Sequence, residues 1–424
     1  MLALVRMALN QKLKSGAAFV AMLLCALLAS SVARCDLAKP AASPDSTFTA
    51  RLNGFGFRLL GALAKGNGGN VMISPYSVSI ALAMIYNGAA GDTKAAIAKT
   101  LAVQGMSDEQ LNQDCEQIIE SVEKADPSVQ IESANALWAQ SGFPLKPAFL
   151  KVAHQFFDAT VESVDFSTNR DGAADTINAW VSRSTHGNIP TIVKSPNRLT
   201  GLVLTDAIYF KGRWQIPFNK SATQPPPFHL EGAHTSEIQV PMMVQSGKYQ
   251  YLETDTFQAI ALPYGNTRFE MYVLLPRGKS TLPDLMHTLD ESRWRDWTGK
   301  LSDRDGKIVL PKFEISDSRN LNDPLGALGM AVAFERGKAN FSLIHQPRPN
   351  LNIGEVEHKT YLKVDEEGTE AAAGTAVGLS ADYVRANPPP PFEMVVDHPF
   401  FFAITEQQTQ ALLFVGVVTN PTGN

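Results

Sequence analysis

The chain has 424 residues, 44% of them hydrophobic and 19% charged, with a formal net charge of −5. That balance excludes a disordered chain and supplies no basic surface suited to nucleic acid or an anionic membrane. A chain this long buries a core without disulfide staples. Its three cysteines, Cys25, Cys35 and Cys115, form neither a disulfide framework nor a zinc-ligand spacing.

At the start, Arg6, Lys12 and Lys14 precede an apolar stretch from Ala17 to Leu28, and Ser31-Val32-Ala33 offers small residues for a cut after Ala33. The apolar run is shorter than the roughly 20 residues of a membrane span. Residues 1–33 therefore read as a signal peptide, and the protein as secreted, or periplasmic in a bacterium. Lipid attachment at Cys35 is the lesser alternative, because Arg34 fits it poorly. Residues 34–45, rich in Ala, Pro and Ser, read as a flexible lead-in to a single domain over 46–424.

Phe48, Leu52, Phe55, Leu59, Leu60 and Leu63 recur at helical spacing behind a possible cap at Ser46. Ser74-Pro75-Tyr76-Ser77 opens a second apolar helix that stops at Asn87-Gly88, and Ile118, Ile119 and Val122 mark one face of a third, acidic one. From Leu202 to Phe210 the chain is almost continuously apolar, the pattern of a strand buried on both faces. Residues 257–275 predict a hairpin turning at Gly265-Asn266, and Leu412 to Val418 predict a last strand. Helices and strands mix without a βαβ rhythm or an internal repeat, so the fold class is α+β with mostly antiparallel sheet. His229 and His234 read as decoration of a surface loop.

One stretch resists a static assignment. Between the strand-like Tyr361-Leu362-Lys363-Val364 and the next apolar strand lie Glu366, Glu367, Gly368, Thr369, Glu370, Ala371, Ala372, Ala373, Gly374 and Thr375, then Ala376 to Arg385, then Pro388-Pro389-Pro390-Pro391. Four consecutive prolines cannot sit inside a sheet and suit an exposed extended segment. A loop of about 20 residues in a compact domain calls for a function. Written as a strand, Thr369, Ala371, Ala373, Thr375, Val377, Leu379 and Ala381 share one face, small enough to enter a sheet that opened for them. A plain Gly/Ala-rich linker is the alternative on composition alone.

Glu366 to Thr375 resembles the hinge of inhibitory serpins. The resemblance extends through Val71 to Ser77, Ser133 to Trp138, Ile177 to Val181, Thr205 to Trp214, Asp397 to Phe402 and Leu413 to Val418, in the family's order from about residue 46 to 422. It implies a serpin-like α+β fold of three β-sheets and about nine helices, with an exposed reactive-centre loop over about 366–391. It also implies a suicide-substrate inhibitor, not an enzyme. A serine endopeptidase, or a cysteine one, attacks the loop and is trapped as an acyl-enzyme when the cut arm inserts into the main sheet. The implied partner is that endopeptidase in a covalent 1:1 complex with a monomer.

Counting sixteen positions on from Glu366, as the family's spacing implies, puts the attacked bond at Asp382–Tyr383. Tyr383–Val384 would favour chymotrypsin-like enzymes and Arg385–Ala386 trypsin-like ones. The resemblance further implies a sheet-opening region at Ser74, Ser77, Asp206, Trp214 and His358. Asp206 stands where the family usually has Asn, so it either pairs with a protonated His358, making opening pH-sensitive, or shares a neutral hydrogen bond. Trp214 either marks where insertion begins or simply packs the core.

A secreted hydrolase is disfavoured by the lack of a Gly-x-Ser-x-Gly elbow, a His-Glu-x-x-His motif or a glycine-rich phosphate loop. The closer rival is a non-inhibitory member of the family acting as a carrier or chaperone-like binder. Such members carry bulky, charged or proline residues in the hinge, which here, from Gly368 on, holds none beyond the usual Glu370. No metal or cofactor is expected. No glycosaminoglycan activator is expected either, since the matching segment Asp114 to Lys124 is acidic. Asn219-Lys220-Ser221 and Asn340-Phe341-Ser342 fit glycosylation acceptors.

Overall fold

A computed structural model describes residues 46–65, 68–197, 200–230, 236–345, 351–369 and 389–423. Helix α1 (Ser46–Ala64) buries Phe48, Leu52, Phe55, Leu59 and Leu60 and leads to the short strand β1 (Val71–Ile73). Helix α2 (Pro75–Tyr86) begins with proline at its first turn, and the Ser74 hydroxyl caps it by accepting the Ser77 N–H. Every residue of α2 is buried, the mark of a helix enclosed on all sides. Helices α3 (Gly91–Leu101) and α4 (Asp108–Glu123) follow, then β2 (Gln130–Gln140), α5 (Pro147–Phe157), β3 (Thr160–Val164), α6 (Arg170–Ser184) and β4 (Leu202–Arg213).

Strands β5 (Pro227–Leu230), β6 (Ser236–Gln239), β7 (Met242–Glu253), β8 (Phe257–Tyr264) and β9 (Phe269–Pro276) precede helices α7 (Leu282–Thr288) and α8 (Glu291–Lys300). The chain continues through β10 (Ser302–Pro311), β11 (Phe313–Asn320) and a kinked helix α9 over 322–334. It then runs through β12 (Ile353–Asp365), the two-residue β13 (Gly368–Thr369), β14 (Phe392–Val395), β15 (Phe400–Glu406) and β16 (Ala411–Val418). Among the described residues this is nine helices and three sheets, as expected. The sheets have eight strands (β1-β16-β15-β9-β8-β7-β10-β14), six (β11-β12-β13-β4-β2-β3) and two (β5-β6).

The predicted two-faced burial of β4 is what the packing requires. Leu202, Leu204, Ile208 and Phe210 face the main core, whereas Val203 and Ala207 point the other way and, with Ala134, Ala136 and Trp138 of β2, pack under Ile177 and Val181 of α6. The six-stranded sheet is thus covered by α2 behind and α6 in front. His229 departs from the surface-loop reading: it lies in β5 with its side chain 14% exposed and Nδ1 3.1 Å from Glu237, while His234 lies outside the described residues.

Candidate functional site

The site is a seam. Strands β12 and β4 pair directly and in parallel from Ile353 opposite Leu202 to Tyr361 opposite Tyr209. Above that point they part, and β13 occupies the gap, antiparallel to both: Gly368 is opposite Asp365 and Arg213, and Thr369 opposite Val364 and Gly212. Two residues of the segment that resisted assignment are therefore already the first rungs of a middle strand. Gly368 is required there, because its φ is +145° and a Cβ would lie 2.2 Å from the Gly212 carbonyl oxygen. Thr369 is fully buried, its hydroxyl 2.9 Å from that of Tyr264.

The approach to these rungs is tied down closely. The Trp214 indole N–H donates to the Asp365 carbonyl at 2.9 Å, the Trp214 amide to the Glu367 carbonyl at 3.0 Å, and the Phe218 amide to the Glu366 carbonyl at 2.7 Å. Trp214 also stacks on Tyr264 with centroids 4.3 Å apart. Lys312 and Thr223 each donate to the Glu366 carboxylate at 2.8 Å, and Lys220 pairs with Glu367. Burial pushes the Glu366 carboxyl up, but the hydrogen bond from Lys312 and its companions outweigh burial and hold the group below the usual carboxylate range.

Six residues down the closed seam, Asp206 and His358 stand directly opposite each other, both 1% exposed. They face α2: Ser77 donates its hydroxyl to Asp206 Oδ1, and the Ser74 N–H donates to His358 Nε2 at 3.0 Å. A nitrogen that accepts carries no proton, so the ring proton sits on Nδ1, pointing toward Asp206 Oδ2 at 3.2 Å. The alignment is too poor for a hydrogen bond, and neither atom has another hydrogen-bond partner.

The structure thus gathers Ser74, Ser77, Asp206 and His358 into one buried cluster. It sets Trp214 apart from them at the open end of the seam, with Glu366, Glu367, Gly368 and Thr369. Glu370, Ala371, Ala372, Ala373, Gly374 and Thr375, the candidate bonds among Asp382, Tyr383, Val384, Arg385 and Ala386, and residues 1–45 lie outside the described residues. Pro389, Pro390 and Pro391 are exposed.

Sequence reasoning missed the far anchor of the loop. Strand β14 adds in parallel to the edge strand β10, Gly306 opposite Phe392. Phe392 lies flat on Tyr251 at 3.8 Å, over a Gly306 whose Cβ would strike the Phe392 ring. The Arg304 guanidinium donates twice to the Pro390 carbonyl, at 3.2 and 3.1 Å.

Among the described residues no three His, Cys, Asp or Glu side chains gather as a metal site. No described helix is long and apolar enough to cross a membrane. Of the two acceptor-like asparagines, Asn219 is exposed and Asn340 half-buried.

Comparison with known proteins accords with this geometry. The family model described as "Serpin (serine protease inhibitor)" matches residues 50–421. An uncharacterized serpin-like protein of Thermococcus kodakarensis is 36% identical over 87% of this chain and 85% of its own length. The leukocyte elastase inhibitor of Bos taurus is 35% identical over 83% of this chain and 93% of its own. Among solved structures, the thermophilic serpin tengpin in its native state superposes with a TM-score of 0.80 at 26% identity, covering 89% of this chain and 95% of tengpin. The thyroxine-binding globulin complex with thyroxine gives 0.78 at 25% identity, covering 89% of this chain and all of that one. The chain belongs to the serpin family.

Proposed function

We propose that the protein is an exported, monomeric suicide-substrate inhibitor of a serine endopeptidase, or a cysteine one, rather than an enzyme. Its signal peptide is residues 1–33, residues 34–45 are a lead-in, and one domain spans 46–424. The observation that carries the reading is the third strand already begun by Gly368 and Thr369 between β12 and β4.

The protease attacks the loop at Asp382–Tyr383, with Tyr383–Val384 and Arg385–Ala386 as alternatives, and forms an acyl-enzyme. While the loop is whole, its second end is held by β14, so the arm cannot thread fully into the seam. Cleavage frees the arm beyond Thr369, and successive residues gain main-chain hydrogen bonds to the two flanking strands in alternation. About 12 inserted residues at ~3.3 Å each carry the attached protease roughly 40 Å, while a displacement of about 1 Å already impairs a catalytic centre. Deacylation loses the race, and a covalent 1:1 complex remains.

Small side chains in the hinge support this over a carrier role, because bulky ones would stall between the strands. The carrier reading is favoured by one feature, a cavity of about 1010 Å³ lined by Lys65, Arg277, Leu282, Met286 and His398 among others. Incubation of the mature protein with a protease panel decides between them. An inhibitor gives an SDS-stable complex, and sequencing the released fragment identifies the bond. Cleavage by every loop-cutting protease with no such complex would remove the inhibitor reading.

A further inference from the structure

We propose that Arg304 is a positioning residue for capture of the protease: it aims the proline run that leads to the attacked bond. The inference rests on the inhibitor reading above and adds a residue to it at the exit end of the loop. The ladder shows why a side chain is needed there. Strands β10 and β14 pair in parallel from Gly306 opposite Phe392 to Val309 opposite Val395. Continued two residues outward, the same register sets Arg304 opposite Pro390. Proline has no N–H, so neither Pro390 nor Pro391 can donate to a ladder, and the pairing stops at Phe392.

The Arg304 guanidinium takes over where the backbone cannot. Its Nε and Nη2 donate to the Pro390 carbonyl at 3.2 and 3.1 Å, two donors of one rigid plane on a single acceptor. The guanidinium is itself held by β7. Its Nη1 donates to Glu253 Oε2 at 3.3 Å, and its carbon lies 5.3 Å from the centroid of the Tyr251 ring, the ring on which Phe392 is stacked. One planar group thus ties β7, β10 and the chain entering β14 together.

What the clamp fixes is a direction. Pro389, Pro390 and Pro391 are consecutive and exposed, and each ring locks its own φ at about −65°. Such a run is a semi-rigid spacer. A stiff spacer gripped at its base keeps its heading, whereas one hinged at its base sweeps through many. A protease accepts the bond in one orientation, and a misplacement of about 1 Å already slows a reaction. Holding the Pro390 carbonyl therefore removes orientations that would have to be lost on capture. The effect belongs to the encounter and not to insertion, because the arm that inserts lies on the other side of the cut.

The test compares wild type, Arg304→Met, which keeps a stem and removes the donors, and Arg304→Lys, which returns a donor of the same charge. With a protease that the wild type traps, two quantities are measured: the second-order rate of complex formation and the inhibitor consumed per complex. The unfolding midpoint of each unclipped chain is read in guanidinium chloride. Arg304→Met should form the complex about fivefold more slowly, with consumption and midpoint as in wild type, and Arg304→Lys should recover part of the rate. Equal rates in all three chains would overturn the positioning, as would a lysine chain no faster than the methionine one. A slower Arg304→Met chain that also melts earlier or is consumed more would overturn it too, by making Arg304 only a fastening of β14. A wild type that traps no protease of the panel would remove the inhibitor reading itself, and this role with it.

Discussion

The two ends of the loop are held in opposite ways. At the entry end, Gly368 and Thr369 sit between two strands through backbone hydrogen bonds, with no side chain larger than a threonine in the gap. At the exit end, Phe392 is stacked on Tyr251, Arg304 grips the Pro390 carbonyl, and Lys307 pairs with Glu393 at 3.0 Å. The Gln258 amide further covers the outer edge of β14 by donating to the Glu393 carbonyl at 3.1 Å. Large interlocking side chains make a fixed point, and small ones make a track. The insertion reading puts motion at the first end and anchorage at the second, and each end can be changed to test that division.

The largest effect is expected on the track. Thr369→Arg places a charged side chain where the hydroxyl now meets Tyr264, and should cut yield of the SDS-stable complex more than tenfold while the loop is still cleaved. Unchanged complex yield would dissociate trapping from the seam. At the anchor, Phe392→Ala empties the slot over Gly306 and should cost the unclipped chain about 3–5 kcal/mol in denaturant unfolding. A loss under 1 kcal/mol would mean that β14 is held by its backbone alone.

Gly368→Val forces a side chain onto the Gly212 carbonyl at a φ of +145°, strain on the order of 1–3 kcal/mol. The expected readout is faster amide exchange at Gly212 and Trp214 as the first rungs undock. Retained protection there would contradict the docked geometry.

The smallest effect is electrostatic. Lys312→Met leaves the Glu366 carboxylate half-satisfied and should cost about 1–2 kcal/mol, since the lysine is partly exposed. Because the Glu366 carboxyl is held below its unfolded value, its contribution is complete above that value, about 4.3. It is lost as pH falls through the lower folded value. The difference between Lys312→Met and wild type should therefore be full at pH 7 and vanish in acid; a difference that grew on acidification would contradict the assignment.

The sequence made some of this legible and hid the rest for physical reasons. Ser74-Pro75 is a local signal, and the helix starts where a cap and a first-turn proline dictate. The apolar run of β4 announced burial on both faces. Asp206 and His358 came only through family likeness, because no local pattern relates residues so far apart; their direct opposition needed the ladder itself. The alternation from Thr369 showed that the stretch could enter a sheet, but not that Gly368 and Thr369 are already docked, since a polar, glycine-rich stretch reads equally as an exposed loop. The anchor was hidden twice over. Its parts come from β7, β10 and β14, and Gly306, within Asp305-Gly306-Lys307, looks like a turn residue yet lies mid-strand beneath an aromatic ring.

The division between track and anchor is tested most directly by heating the protein before and after a single cut in the loop. If the freed arm completes the strand that Gly368 and Thr369 begin, the nicked molecule unfolds at a markedly higher temperature than the whole one. Equal or lower resistance to heat after nicking would contradict the account.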